Sequence, residues 1–390
     1  MTNGEHYRTQ VRPVRVDPRV RLFLAGLRKS GWPPMHQRTP GQARHEYRIL
    51  AAATSTWQPV RAVADALVPG PAREIPVRVY RPRRRSAEPA LLVYLHGGGF
   101  VIGDLFTADG TCRSLANATG ATVVSVHYRR TPEHPLPAAQ QDAVSATCWA
   151  LAHAAELGAD PARLVVAGDS AGGGLAAHVT QYLRDHGPSP AALQVLIYPA
   201  TDFSLDQADR DPALARLLDW AAIDWFSTHS MPPGLDRRDP AISPLHAADL
   251  ANLPPAFVVT AEVDPFRSDA VAYCAALRLA GVQVVHRDFA GQIHGFAGMD
   301  LVFPAGRAAL REVAAAVRAA QKVPGHRARL AADQEPIRWA RGPAHGKRQV
   351  HDVAQRLPLV NGTYMIATLF EHRIRSAAAR ALALPSAEEL

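Results

Sequence analysis

The chain is organised around the stretch Val165-Val166-Ala167-Gly168-Asp169-Ser170-Ala171-Gly172-Gly173-Gly174. The residues before Gly168 are apolar and mostly β-branched, which is typical of a buried strand. Residues 175–183 carry apolar side chains at helical spacing. Between these two patterns, the sequence fits G-x-S-x-G, in which a sharp strand-to-helix turn exposes a serine. Such a turn needs the glycines on either side of Ser170, because a Cβ there would clash with the neighbouring chain.

The length of 390 residues is sufficient for one large domain or two. A hydrophobic content of 47% and a charged content of 20% are those of a globular chain and not of a disordered one. No apolar run approaches the roughly 18 residues that a membrane-spanning helix needs, and the N-terminus lacks the apolar core of a secretory signal. The three cysteines, Cys112, Cys148 and Cys274, show neither C-x-x-C nor zinc-type spacing. We therefore expect a cytoplasmic protein with reduced thiols and no transmembrane segment.

The net charge of +8 is concentrated at the two ends of the chain. Residues 1–30 carry +5 and residues 323–390 carry +4, so the sequence between them is close to neutral. A basic end can bind nucleic acid or anionic lipid. Almost all of the positive charge is arginine, so a compositional bias explains the basic ends better than binding to nucleic acid or lipid does. We therefore expect no nucleic-acid partner.

Strand-like and helical patterns alternate along most of the chain. Apolar runs typical of strands lie at residues 75–80, 90–95, 121–126, 163–167, 193–198, 256–260 and 282–289. Helical patterns lie at residues 109–118, 138–156, 267–280 and 304–321. Such alternation predicts an α/β fold, with a mostly parallel central sheet and helices on both of its faces.

Three segments fall outside this alternation. Residues 1–55 are helix-prone, with Asp17-Pro18 as a helix start, and we interpret them as an N-terminal cap segment. Residues 56–322 form the main domain, in which about residues 200–245 are helical and aromatic and predict a cap insertion. An ordinary crossover helix is the alternative for that insertion. After residue 322 the pattern of a sheet stops, so we expect residues 323–390 to be a basic, poorly ordered C-terminal extension.

A second glycine-rich segment follows the strand that ends at Leu95. It consists of His96-Gly97-Gly98-Gly99-Phe100. Three successive glycines let bare backbone N–H groups approach a substrate oxygen, as in the HGGG-type oxyanion motif. That motif works with the N–H of the residue after the nucleophile, here Ala171. His96 then shapes the loop through a hydrogen bond and does not carry a proton; a flexible turn is the alternative interpretation of the segment.

The chain has 17 histidines, so composition alone does not identify a general base, but position along the chain does. His294 lies between the last strand and the final helix, and Asp264 follows the preceding strand. Loops at the carboxyl ends of strands build the site in a doubly wound sheet. We therefore expect Ser170, Asp264 and His294 to meet there as nucleophile, orienting acid and base. Glu262 and Asp269 are rival acids, and a helix cap is the alternative role for Asp264.

Further motifs accompany these in a fixed order. They are Tyr128-Arg129, Pro132-Glu133-His134-Pro135, Ile197-Tyr198-Pro199, Ser243-Pro244-Leu245, Asp264-Pro265-Phe266-Arg267 and His294-Gly295-Phe296. With them, about residues 15–321 resemble the hormone-sensitive-lipase-like group of α/β-hydrolases. The resemblance implies an α/β-hydrolase fold whose helical cap lines an acyl pocket. It also implies the N–H groups of Gly98, Gly99 and Ala171 as oxyanion donors, with His96, Gly97 and Asp169 in support.

The chain departs from the family pattern beside the site. The family usually has an acid where His127 stands and an apolar-small pair where Arg130-Thr131 stands. It often has a further acid where Ser268 stands. These departures concern the tuning of the site and not the class of reaction. Residues 323–390 have no counterpart in the family.

The resemblance implies a serine esterase that hydrolyses short- to medium-chain carboxylic esters through an acyl-serine intermediate. A small-molecule ester is then the partner, and no metal or organic cofactor is needed. An amidase or aryl-formamide hydrolase with the same residues is an alternative. A ligand receptor on this scaffold is another, although receptors that resemble the family have lost the catalytic histidine, and His294 is present. A homodimer is compatible with the family, whose members often pair through an edge strand.

Overall fold

The computed structural model describes residues 15–187, 190–204 and 213–322. The predicted C-terminal extension, residues 323–390, lies outside the described residues. So do residues 1–14 of the N-terminal cap segment and residues 205–212 of the cap insertion.

Within the described ranges, eight strands form one sheet. They are β1 (Ala62–Val68), β2 (Ile75–Arg81), β3 (Ala90–Leu95), β4 (Thr122–Val126), β5 (Asp160–Asp169), β6 (Leu193–Ile197), β7 (Ala256–Val263) and β8 (Val284–Ile293). Their spatial order is β1-β2-β4-β3-β5-β6-β7-β8. β2 runs antiparallel to β1 and β4, and every other neighbouring pair is parallel. The predicted α/β class with a mostly parallel sheet is confirmed.

Helices connect and cover these strands. They are α1 (Pro18–Lys29), α2 (Pro40–Thr54), α3 (Asp109–Thr119), α4 (Ala138–Ala152), α5 (Ala154–Leu157), α6 (Ala171–His186), α7 (Trp220–Ser230), α8 (Arg267–Leu279) and α9 (Pro304–Gln321). Short 3₁₀ turns lie at Met35–Gln37 and Pro244–His246. None of the helices in the described part of the chain combines the length and apolar character that crossing a bilayer requires.

Both faces of the sheet are covered over the inner strands β2 to β7, which explains their continuous apolar runs, whereas the edge strands β1 and β8 are partly exposed. In β5, Leu164 and Val166 point to the face covered by α4, α6 and α8, whereas Val165 and Ala167 point to the face covered by α3 and α9. This alternation follows from the two-residue repeat of a strand. Helices therefore lie on both faces of the sheet, as the sequence predicts. The carboxyl ends of β5, β7 and β8 lie at the same edge of the sheet.

The clearest differences from the sequence patterns concern β1, α7 and β8. β1 has no predicted counterpart because it is alanine-rich and half exposed, and its pairing with β2 defines it. α7 starts at Trp220, since the Asp219 side chain caps it by accepting from the N–H of Ala222. β8 extends past Phe289 to Ile293, because its pairing with β7 resumes beyond an irregularity. The limits of β1 and β8 depend on pairing with distant strands, whereas the cap that starts α7 is a local signal.

The core of the sheet should be sensitive to the loss of a single side chain. Leu92 on β3 is fully buried, so we expect Leu92→Ala to lower the free energy of unfolding by about 2–5 kcal/mol. Leu279→Ala is the matched control, because Leu279 is 91% exposed and its loss should change stability by less than about 0.5 kcal/mol. Urea unfolding measures both. Equal midpoints for the two variants would contradict the described packing.

Candidate active site

Ser170 stands at the turn between β5 and α6 in a backbone conformation that most residues avoid. Its φ is +56°, in the left-handed half of the backbone map. Two hydrogen bonds hold the turn: the Ser170 N–H donates to the Ile197 carbonyl at 2.9 Å, and the Ala200 N–H donates to the Ser170 carbonyl at 3.1 Å. Strain of this kind persists only where the surrounding structure fixes it. The end of β6 therefore supports the exposed serine.

The two glycines of the G-x-S-x-G pattern are required by close backbone contacts. A Cβ at Gly168 would collide with the carbonyl of Gly172, and a Cβ at Gly172 would collide with the carbonyl of Leu95. The second contact brings the start of α6 directly against the end of β3. The serine turn and the glycine loop that follows β3 are therefore packed on each other.

The three residues that the sequence selects lie in one hydrogen-bonded line. His294 Nε2 is 2.8 Å from Ser170 Oγ, and His294 Nδ1 is 2.8 Å from Asp264 Oδ2. Asp264 is fully buried, whereas the His294 side chain is 12% exposed. A carboxylate only accepts, so the Nδ1 atom must carry the proton in this arrangement. Nε2 is then free to accept the hydroxyl proton of Ser170.

The rival acids have other partners. Glu262 accepts from the N–H of Gly291 at 2.6 Å, and Asp269 accepts from the N–H of Thr201 at 2.9 Å. Asp264 does not fill its alternative role, because Phe266 is the N-cap of α8 and no side chain caps that helix; Oδ1 of Asp264 instead accepts from the N–H of Phe266 at 2.9 Å in the turn before it. Its second oxygen remains available for the imidazole. Of the three acids considered, Asp264 is the one in contact with His294.

Two aromatic rings that sequence reasoning did not assign to the site pack against His294. The ring centroids of Tyr198 and Phe266 lie 4.9 Å and 5.5 Å from that of the imidazole. Tyr198 also has a positive φ, of +36°. Both residues belong to motifs quoted above, but nothing in those motifs shows that the rings meet. They restrict the rotation of the imidazole.

The glycine loop after β3 exposes its backbone on the side of Ser170. Gly98 and Gly99 have φ values of +122° and +56°, which favour glycine. Gly97 donates its N–H to Asp169 Oδ1 at 2.9 Å, and that oxygen also accepts from the Tyr94 hydroxyl at 2.7 Å. Burial raises the pKa of Asp169 above its ordinary value. Asp169, the residue before Ser170, thus ties the glycine loop to the serine turn.

His96 makes its contacts within the loop and not with the serine. Its Nδ1 lies 2.9 Å from the Gly97 carbonyl, and the Tyr128 hydroxyl donates to the His96 carbonyl at 2.6 Å. The two rings are stacked with centroids 4.3 Å apart. Burial lowers the pKa of His96 to about 4, so the imidazole is neutral near pH 7. These contacts are those that a loop-shaping role requires.

Two of the departures from the family pattern lie behind the glycine loop. His127 is buried, with its ring centroid 6.2 Å from that of His96. Arg130 donates from Nη1 to the Gly103 carbonyl at 2.9 Å. The third departure, Ser268, is exposed on α8. His127 and Arg130 are therefore placed to affect the loop, whereas Ser268 is not.

A cavity of about 240 Å³ opens over Ser170. Its walls come from the glycine loop, the His294 loop, α2, α7 and the chain that leads to α7. The lining is mostly apolar and includes Met35, Leu50, Leu217, Ile223, Phe226 and Met299. The Phe226 ring occupies the space where a Cβ of Gly99 would stand. The two segments predicted to form a cap therefore both reach the candidate site.

Comparison with known families and proteins gives consistent matches. Residues 92–298 match the alpha/beta hydrolase fold family. The carboxylic ester hydrolase LipN of Mycobacterium tuberculosis is 43% identical over 267 residues, which is 66% of this chain and 70% of LipN. The esterase LipI of the same organism is 43% identical over 265 residues, 67% of this chain and 82% of LipI.

Solved structures give the same picture. An ester hydrolase from the metagenome of Lake Arreo, complexed with a bipyridine phosphonate derivative, is 40% identical with a TM-score of 0.74. The match covers 78% of this chain and 98% of that one. An esterase from Pyrobaculum calidifontis is 37% identical with a TM-score of 0.70, covering 78% and 98% of the two chains.

The buried neutral His96 should make stability depend on pH. Its pKa in the folded state, about 4, lies below the ordinary 6.5, so the unfolded chain binds more protons between these values. Stability should therefore fall as the pH drops from about 6.5 towards 4, with a share of about 2 kcal/mol from His96 between pH 7 and pH 5.

We expect His96→Asn to reduce that loss by about this amount in urea unfolding at pH 7 and pH 5. His36→Asn, at an exposed position, is the control and should keep the wild-type pH dependence. An unchanged difference between the two pH values in His96→Asn would rule out a neutral buried His96.

Proposed function

The chain belongs to the hormone-sensitive-lipase-like carboxylesterases of the α/β-hydrolase family, and on that basis we propose that Ser170 hydrolyses short- to medium-chain carboxylic esters. The observation that carries this proposal is the line of two 2.8 Å contacts from Ser170 through His294 to Asp264. It lies beside a mostly apolar cavity. A nucleophile, its base and the group that orients the base are the parts that acyl transfer needs.

Acylation begins when His294 Nε2 takes the proton of Ser170 as Oγ attacks the ester carbonyl carbon. The new C–O bond gives a tetrahedral intermediate with a negative oxygen. Buried Asp264 keeps the proton on Nδ1 and stabilises the imidazolium that forms. The intermediate collapses when the imidazolium gives its proton to the alkoxy oxygen, and the alcohol leaves. Deacylation repeats these steps, with water as the nucleophile and the carboxylic acid as the product.

The negative oxygen of the intermediate is proposed to bind the N–H groups of Gly98, Gly99 and Ala171. Their placement supports this, because the loop and the start of α6 are in backbone contact beside Ser170. Each such donor is typically worth about 2.7–4 kcal/mol of barrier. Asp169 supports the donors by holding the N–H of Gly97, and His96 supports them from within the loop.

The size of the cavity favours a small substrate. Its volume of about 240 Å³ is below the roughly 300–1,000 Å³ of sites for drug-sized ligands. We propose that the described parts of residues 1–55 and 200–245 act as a cap that lines this space. The relatives are named as ester hydrolases, which favours an ester over an amide or a receptor ligand. A homodimer and a cytoplasmic location stay predictions.

Removal of the proposed nucleophile should abolish turnover. We expect the wild type to hydrolyse p-nitrophenyl esters from acetate to about octanoate faster than palmitate, and Ser170→Ala to lower kcat by about 10³-fold or more. Ser268→Ala, on the exposed face of α8, is the matched control and should keep wild-type rates. Residual activity of Ser170→Ala close to that of the wild type would exclude Ser170 as the nucleophile.

The orienting acid can be separated from its rival by matched amide substitutions. Asp264→Asn should leave KM nearly unchanged but lower kcat by up to about 10⁴-fold, because an amide no longer holds the imidazole in the required tautomer. Glu262→Gln should lower kcat less than tenfold, since the Glu262 carboxylate accepts from the backbone N–H of Gly291 in β8 and not from His294. A larger loss in Glu262→Gln than in Asp264→Asn would reverse the two roles.

A further inference from the structure

The N–H of Gly99, a proposed oxyanion donor, is oriented by the carbonyl on the other side of its own peptide group. That carbonyl belongs to Gly98, and it accepts from the N–H groups of Val101 at 3.0 Å and Ile102 at 2.9 Å. The bond between Gly98 and Gly99 is trans, so its C=O and N–H point in opposite directions within one plane. The groups that fix the Gly98 carbonyl therefore also fix the direction of the Gly99 N–H.

The two peptide groups that bind this carbonyl are held at their other ends by residues from outside the glycine loop. In the first group, the Phe100 carbonyl accepts from the Thr131 N–H at 2.9 Å and from the Thr131 hydroxyl at 3.3 Å. In the second group, the Val101 carbonyl accepts from Nε of Arg44 at 2.8 Å. A chain of hydrogen bonds thus runs from the Arg44 guanidinium through two peptide groups to the Gly99 N–H, and bonds in such a chain polarise one another.

The loop needs this outside support because its backbone is strained. Gly98, Gly99 and Phe100 follow one another at φ values of +122°, +56° and +64°. Phe100 is not a glycine, and an aromatic residue at a positive φ persists only where the surrounding structure enforces it. Thr131 holds the carbonyl of Phe100, and Arg44 holds the carbonyl that follows.

One guanidinium joins two separate segments of the main domain. Besides the Val101 carbonyl, Arg44 donates from Nη2 to the Thr131 carbonyl at 2.8 Å, and from Nη1 and Nη2 to the two carboxylate oxygens of Glu133 at 2.7 Å and 2.6 Å. The Arg44 side chain is 13% exposed, whereas that of Glu133 is 50% exposed. An ion pair with so exposed a partner contributes little, so the contacts with the two buried carbonyls are the stronger constraint.

Arg44 lies on α2, and among the described residues it is not part of the cavity lining. Arg48, one turn further along the helix, pairs with Asp104 at 2.6 Å. Asp104 accepts from the N–H groups of Phe106 and Thr107, so Arg48 supports the next turn of the chain. Of these two arginines, Arg44 is the one bonded to the peptide groups that orient the oxyanion donor.

We propose that Arg44 is a positioning residue for the oxyanion donors, through which the cap segment controls the rate of acyl transfer. This inference rests on the proposed ester hydrolysis at Ser170. The negative oxygen forms only in the tetrahedral intermediate, so a displaced Gly99 N–H weakens the transition state and leaves substrate binding nearly intact. Loss of Arg44 therefore lowers kcat and not the affinity for the ester.

Substitution of Arg44 tests this role with p-nitrophenyl butyrate as substrate. We expect Arg44→Ala to lower kcat by about tenfold or more with KM within about twofold of the wild type. Arg44→Lys should recover part of the loss, because an ammonium can replace some of the hydrogen bonds of the guanidinium fork but not its fixed geometry. Rates are expressed per active site, counted by titration with a fluorophosphonate, so an unfolded fraction does not enter kcat.

A tetrahedral analogue separates positioning from a general structural effect. A trifluoromethyl ketone forms a tetrahedral adduct with a nucleophilic serine, so its Ki should rise in Arg44→Ala by the factor by which kcat/KM falls. Glu133→Gln removes the charge of the ion pair but leaves both carbonyl contacts of Arg44, and it should keep kcat within about threefold. Arg38→Ala is the matched control, because the Arg38 side chain pairs with Glu46 at 2.6 Å inside the cap segment, and it should keep kcat and Ki within about twofold.

An unchanged kcat in Arg44→Ala, a rise in KM alone, or a constant Ki with a lower kcat overturns the positioning role and leaves ester hydrolysis intact. A loss in Glu133→Gln as large as that in Arg44→Ala overturns it too, because the ion pair would then carry the effect. Failure of the wild type to hydrolyse p-nitrophenyl butyrate would instead overturn the proposed function, and the positioning role with it.

Discussion

The backbone of Ser170, held at a positive φ between β5 and α6, is the constraint on which the rest of the site depends. It is compatible with the fold only because Gly168 and Gly172 leave room for the carbonyls that pass beside it. The same contacts seat α6 against the end of β3, and so set where the glycine loop runs. A single strained turn thus places the hydroxyl of Ser170, the N–H of Ala171 and the loop that carries Gly98.

The parallel sheet supplies the remaining parts at the same edge. β7 ends just before Asp264 and β8 ends just before His294, so two neighbouring strands place the proposed acid and the proposed base side by side. β7 is buried over nearly its whole length, and β8 is buried over its last three residues, so both strand ends next to the site are enclosed. Rings of Tyr198 and Phe266 then limit the imidazole to a few orientations. The positions of the side chains at the site therefore depend on packing beyond the reacting atoms themselves.

Much of this could be predicted from the sequence, because the signals are local or topological. The glycines around Ser170 indicate a turn there. The order of residues along the chain alone places Asp264 and His294 after successive strands. The preference for Asp264 over Glu262 and Asp269 also came from the sequence, since Pro265 beside it begins a loop after β7; the structure adds the partners of the two rivals, of which Glu262 lies in β7 and Asp269 in α8. The packing of the Tyr198 and Phe266 rings around His294 could not be predicted, because it depends on contacts between segments far apart in the chain.

Two arginines of α2 bind the chain that follows the glycine loop, and these contacts have a consequence for recombination between relatives. Arg44 and Arg48 bind groups that belong to the main domain, at Val101, Glu133 and Asp104. A helix from a homologue that lacks these arginines would leave the buried Asp104 carboxylate and the Val101 carbonyl without their arginine donors, in the chain just after the glycine loop. In evolution or in engineering, the substrate-facing helix and this short loop are therefore expected to be inherited as one unit.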